Sequence, residues 1–114
     1  MNTAYEFIKG YIPIKNALKT RENDSFLIIS NQESNVYYLN GTAREIWDNI
    51  DGNKSIDDIC SYLLSEYDVS REILERDLIV FVRDMQWKKL LRLKKGGEVN
   101  YEEIHSTENN LRFD

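Results

Sequence analysis

Hydrophobic positions in the first third of the chain fall in short clusters separated by polar turns. Ser25-Phe26-Leu27-Ile28-Ile29-Ser30 and Val36-Tyr37-Tyr38-Leu39 are dense in β-formers. Residues 14–20 make a weaker run that reads as an earlier strand, and Pro13 is expected to end whatever precedes it. Polar turns at residues 21–24 and 31–35 separate the runs. Three short strands at this spacing predict an antiparallel meander.

After Leu39 the period changes to that of a helix. Asn40-Gly41 breaks the strand, and Thr42 with Glu45 has the spacing of a capping box. Ala43, Ile46, Trp47 and Ile50 line one face of a first helix, which Asp51-Gly52 is expected to stop. Ser55 with Asp58 gives a second cap, followed by Ile56, Ile59, Cys60, Leu63 and Leu64 on one face. Ser70 is the candidate cap of a third and longest helix, from Ile73 to about Lys89. Leu90-Leu91-Arg92-Leu93 reads either as a last short strand or as a frayed continuation of that helix.

This order and spacing resemble the PqqD-like family, the peptide-binding domains also called RiPP recognition elements. The resemblance covers roughly residues 14–93. It rests on the strand followed by Leu39-Asn40-x-Thr42-Ala43-x-Glu45-Ile46, on Asp51-Gly52, and on Ser55-Ile56-x-x-Ile59. Tyr67-Asp68-Val69, Asp77-Leu78 and Phe81-Val82 match more loosely. The resemblance implies an α+β, winged-helix-like fold, with a three-stranded antiparallel sheet followed by a three-helix bundle over residues 1–95. Residues 96–114 are polar and acidic without sustained patterning and are expected to form a disordered tail.

The third helix carries two stripes. On a wheel of about 100° per residue, Leu74, Leu78, Phe81 and Met85 share a sector with Val82 at its edge, which is the expected core face. Ile73, Val80 and Trp87 recur every seven residues on another side, with Arg76 and Arg83 beside them. A helix buried on one face does not need that second stripe, whereas a helix that also lines a groove does. Packing of the second stripe on the first two helices is the competing explanation. The resemblance implies a groove in which a leader peptide adds as a strand beside the third strand and rests on the third helix. The physics would be β-augmentation. Asn35, Val36, Tyr37, Tyr38 and Leu39 would then offer the edge, and Ile73, Ile79, Val80 and Trp87 the apolar wall. Arg76 and Arg83 would pair with acidic residues of the leader. Strand alternation sends one of Tyr37 and Tyr38 inward and the other outward.

Composition narrows the alternatives. At 114 residues the chain is one domain's length, and its net charge of −5 weighs against nonspecific nucleic-acid binding. The basic run Lys88, Lys89, Arg92, Lys94, Lys95 suits a helix end and a solvated edge. No apolar run is long enough to span a membrane, and the first residues lack the plan of a signal peptide, so a cytoplasmic protein without membrane association is expected. The single cysteine, Cys60, falls on an apolar helix face and reads as a buried, inert thiol. His105 is the one histidine and lies in the expected tail. Asp57-Asp58 reads as helix capping rather than metal binding, and no cluster of metal-ligand or phosphate-binding spacing occurs, so no cofactor is expected.

Catalysis is therefore not expected. The function these observations support is a stand-alone protein that holds a precursor's leader for a separate modifying enzyme. A radical S-adenosylmethionine enzyme, a leader peptidase and a cyclodehydratase-like enzyme all fit as the partner, and the protein itself is expected to be a monomer or weak homodimer. The alternative, a winged-helix DNA-binding regulator, is opposed by Glu72, Glu75, Asp77 and Asp84 on the third helix.

Overall fold

The strand signals resolve into two antiparallel sheets rather than one. The computed structural model describes residues 3–96. Lys19–Glu22 (β2), Leu27–Ser30 (β3) and Val36–Leu39 (β4) form the meander, in the order β2-β3-β4. Tyr11–Lys15 (β1) leaves that sheet and pairs with Leu91–Lys95 (β5), with Pro13 opposite Leu93. The strand expected over residues 14–20 is thus cut in two. Pro13 does not end a segment but sits buried inside β1. A strand with one neighbour tolerates a residue that cannot donate to a ladder. Residues 16–18 bridge the sheets: Asn16 N–H donates to the Leu90 carbonyl at 2.9 Å and Leu18 N–H to that of Ser30 at 2.8 Å. All of β2 is solvent-exposed, so no hydrophobic signal marked it.

A short helix, Thr3–Ile8 (α1), precedes β1 and was not expected. Six residues cannot hold a helix alone. Tyr5 anchors it by burying its ring and donating from its hydroxyl to Asp57 Oδ1 at 2.6 Å. Arg71 reaches the same carboxylate oxygen at 2.8 Å and Glu75 at 2.9 Å, so one polar network ties α1 to the two longer helices described next. Burial, and after it the Asp57 hydrogen bond, push the Tyr5 phenol far above its ordinary value.

Three helices follow the meander: Gly41–Asp48 (α2), Ile56–Glu66 (α3) and Arg71–Trp87 (α4). The expected caps hold for two of them. Ser55 and Asp58 complete a reciprocal capping box, and Ser70 Oγ accepts from Ile73 N–H at 3.2 Å. The box expected at Thr42 does not form, because α2 starts two residues earlier, with Asn40 at the cap and Thr42 inside the helix. The stop also comes early: α2 ends at Asp48, and Asp51 and Gly52 shape the turn beyond it. Gly52 takes φ +83°, where a side chain would be strained, and the Asp51 carboxylate accepts from Asn53 and Lys54 N–H. Those two hydrogen bonds hold its pKa below the ordinary carboxylate value.

The core lies between the inner face of the meander and the helices. Leu74, Leu78, Phe81, Val82 and Met85 are all buried, as the wheel predicted. They meet Ile46 and Trp47 of α2 and Ile59, Cys60 and Leu63 of α3, together with Ile29 of β3. Cys60 is buried and its thiol is pushed up by that burial. The tail expectation, including His105, lies outside the described residues. No described helix is long and apolar enough to cross a membrane.

Leu78→Ala is expected to destabilise the protein by about 2–5 kcal/mol in chemical denaturation. A second expectation concerns pH. An unfolded tyrosine ionises near about pH 10, whereas Tyr5 in the fold does not. The unfolded chain therefore loses this proton first, so its contribution to stability is complete below that pH and declines above it. Tyr5→Phe should flatten the alkaline arm of a denaturation-versus-pH profile, and an unchanged arm would contradict the assignment.

Candidate functional site

The site begins at a hydrogen-bonding edge. Among the described residues, β4 pairs with β3 on one side and with no strand on the other. Its side chains alternate: Val36 and Tyr38 are exposed, Tyr37 is half-buried and Leu39 is buried. Tyr37 is thus the inward tyrosine and Tyr38 the outward one. Tyr38, 68% exposed, rests on the Phe26 ring with centroids 5.3 Å apart.

A polar clamp ties this edge to the end of α4. Asn31, at the turn between β3 and β4, is only 1% exposed. Its Oδ1 accepts from Glu33 N–H at 2.9 Å and Asn35 N–H at 3.0 Å. Its Nδ2 donates 2.8 Å to the Lys88 carbonyl, an acceptor left over at the helix end. Lys89 Nζ pairs with Glu33 at 2.7 Å across the same junction. Lys89 itself takes φ +60° in the cap that closes α4, where Leu90 N–H donates to Met85 O and Lys89 N–H to Gln86 O. The Lys88 ammonium lies 5.0 Å from the centre of the Tyr37 ring. Strand and helix are thereby fixed relative to each other.

Beyond β4 a cleft opens between α2 and α4. Thr42, Ala43 and Ile46 form one wall, and Asp77, Val80, Phe81 and Asp84 the other. It continues past Thr42 and Asp77 towards Leu63, Tyr67, Val69 and Leu74. Val80 is 60% exposed on this wall, and Ile73 and Trp87, from the same stripe, are 47% and 86% exposed. All three therefore stand off the core.

The other sequence candidates divide. Ile79 is buried in the core and cannot serve as wall. The buried arc of α4 therefore extends beyond the sector of Leu74, Leu78, Phe81 and Met85 to include Ile79. The Leu39 side chain is also core, which leaves its backbone as the part that could belong to an edge. Arg76 and Arg83 are exposed, but neither lines the cleft. On a helical wheel they lie about 40–60° to one side of Val80, while Asp77 and Asp84 lie about 40–60° to the other. The cleft wall is therefore acidic. Asp77 and Asp84 repeat at the same seven-residue interval as the apolar stripe, so the sequence held the signal, although it was read only as an argument against DNA binding while the groove was assigned to the arginines. Asn31 gave no such signal, since its residue type is ordinary for a turn. Among the described residues no group of side chains is arranged to hold a metal ion.

Residues 26–91 match the model of the family described as coenzyme PQQ synthesis protein D (PqqD). That segment includes the β3–β4 edge, the cleft and α4. The solved structure titled "TbiB1 in Complex with the TbiA(beta) Leader Peptide" superimposes with a TM-score of 0.61 at 24% identity, covering 76% of this chain and 100% of that one. At that identity the likeness establishes a shared fold. No curated protein matches the chain.

Asn31→Ala removes the clamp and strands the Lys88 carbonyl. A loss of about 1–3 kcal/mol is expected in denaturation, the cost of unsatisfied buried polar groups. A loss of only a few tenths would mean that water replaces the amide and the clamp is not structural.

Proposed function

The chain belongs to the PqqD family, and on that footing we propose that it is a non-catalytic, stand-alone recognition protein for the leader of a ribosomally synthesised precursor peptide. The leader adds as a strand to the open edge of β4, along Asn35–Tyr38 and the Leu39 backbone, and its inward side chains rest against α4. The protein then presents the precursor to a separate modifying enzyme: a radical S-adenosylmethionine enzyme, a leader peptidase or a cyclodehydratase-like enzyme. In this reading the meander with α2, α3 and α4 is a winged-helix-like frame turned to peptide binding.

The observation that carries this reading is the edge of β4, unpaired among the described residues, together with an exposed apolar stripe on α4. Backbone groups at such an edge bind any extended peptide, and the neighbouring pockets select among them. Val80, Ile73 and Trp87 are off the core and available as the apolar wall. Arg76 and Arg83, outside the cleft, would meet acidic residues flanking the bound segment. The fold shared with a protein solved with a leader peptide supports the same reading.

Amide-shift mapping by NMR with the leader of a precursor encoded beside this gene is the test. Shifts concentrated on residues 35–39 and 76–87 are expected, and a titration that leaves both segments unmoved would contradict the proposal. Val80→Glu should weaken leader binding by more than about tenfold while leaving the thermal midpoint nearly unchanged. If Val80→Glu unfolds the protein instead, Val80 is core and the groove assignment fails.

A further inference from the structure

The cleft between α2 and α4 has an apolar floor with carboxylates as its charged groups. Val80 and Phe81 face Ala43 and Ile46 across it. Its titratable lining consists of Asp77 and Asp84, with Glu45 and Tyr67 in the continuation. Two of the three carboxylates are already engaged. Glu45 accepts from the Tyr67 hydroxyl at 2.7 Å, and Asp84 pairs with Lys88 at 2.8 Å. Asp77 is different. It is half-buried, it lines both parts of the cleft, and it makes no hydrogen bond or ion pair among the described residues.

We infer that the leader places a cationic side chain, lysine or arginine, against Asp77, two residues from a large aliphatic side chain seated between Val80 and Ile46. The inference rests on the leader-binding reading above and names the chemistry that this cleft selects. The spacing follows from geometry. Asp77 stands three residues before Val80, about 4.5 Å along the helix axis. Side chains on one face of an extended peptide are spaced about 6.6 Å apart. An aliphatic residue at Val80 therefore brings its i±2 neighbour within reach of Asp77, a gap that the length of lysine or arginine spans. The stretch of α4 from Leu74 to Asp84 spans about 15 Å, room for four or five extended residues. A half-buried carboxylate without a partner favours a cation over a neutral residue and disfavours an acid. Apolar floor and single open charge together make a two-point filter, while the strand edge stays tolerant of sequence.

The test uses the full-length protein and an mRNA-display library of random twelve-residue peptides, followed by NMR mapping of the recovered binders. Enrichment of lysine or arginine two positions from leucine, isoleucine, valine or phenylalanine is expected. For such a peptide, Asp77→Asn and the peptide's own Lys→Gln should each weaken binding about tenfold, and the two changes together should cost little more than either one. Asp77→Glu should keep the preference, which separates loss of charge from loss of fold. Binders that shift β4 and the cleft without cation enrichment, or that bind Asp77→Asn equally well, would overturn the inference and leave the leader-binding reading standing. Failure to recover any peptide that shifts β4 would overturn both.

Discussion

A single buried amide sets the relation between the sheet edge and the last helix. Asn31 closes the β3–β4 turn with its oxygen and caps α4 with its nitrogen. Hydrophobic contacts cannot do both, because they are non-directional and fix distance only loosely. Further directional contacts reach the same helix end, from Glu33 of the turn to Lys89 and from Tyr37 of β4 to Lys88. Lys89 holds a left-handed conformation usually left to glycine, which costs on the order of 1–2 kcal/mol. Its ammonium pairs with Glu33, an interaction that glycine could not make. The strand edge is thus tied to the C-terminal end of α4.

Around that fixed end, charge is sorted by the angular position of residues on α4. Asp77 and Asp84 turn towards the cleft, and Arg76 and Arg83 turn away from it, with Val80 between the two rows. A net charge of −5 says nothing about this partition, since side chains of both signs lie within one turn of each other. The same arrangement weakens a DNA-binding role for α4. A groove-reading helix would bring Asp77 and Asp84 close to phosphates without neutralising them.

What the sequence disclosed follows from where periodicity was strong. The core stripe of α4 and the caps at Ser55 and Ser70 were legible, because helical spacing and cap chemistry are local. The standing of Val80 and Trp87 off the core followed from the same wheel. Features held together by distant residues were not legible. α1 depends on a Tyr5–Asp57 bond across 52 residues, and β1 depends on β5 at the far end of the described chain. β2 is exposed throughout and so carries no apolar signal, while Pro13 suggested a break where an edge strand accepts it. The choice between Tyr37 and Tyr38 turned on register, which a single residue's slip inverts and which only pairing with β3 fixes. Ile79, offered as part of the apolar wall, lies in the buried arc of α4, whose width helical spacing alone does not fix.

The open edge remains the feature that most needs a physical reason. Unpaired strand edges invite association, and proteins usually shorten, charge or cover them. β4 is short, at four residues, yet its exposed side chains are Val36 and Tyr38 rather than lysine or glutamate. Nothing in its composition discourages a further strand. The amide clamp at Asn31 holds that edge in place beside a helix that keeps Val80 and Trp87 in solvent. Each of these choices opposes the burial that stabilises a small domain. They become coherent together if a transient strand completes both the ladder and the apolar wall. In the proposed reading, the leader supplies the strand that β4 lacks among the described residues, and the edge and wall stay bare for it.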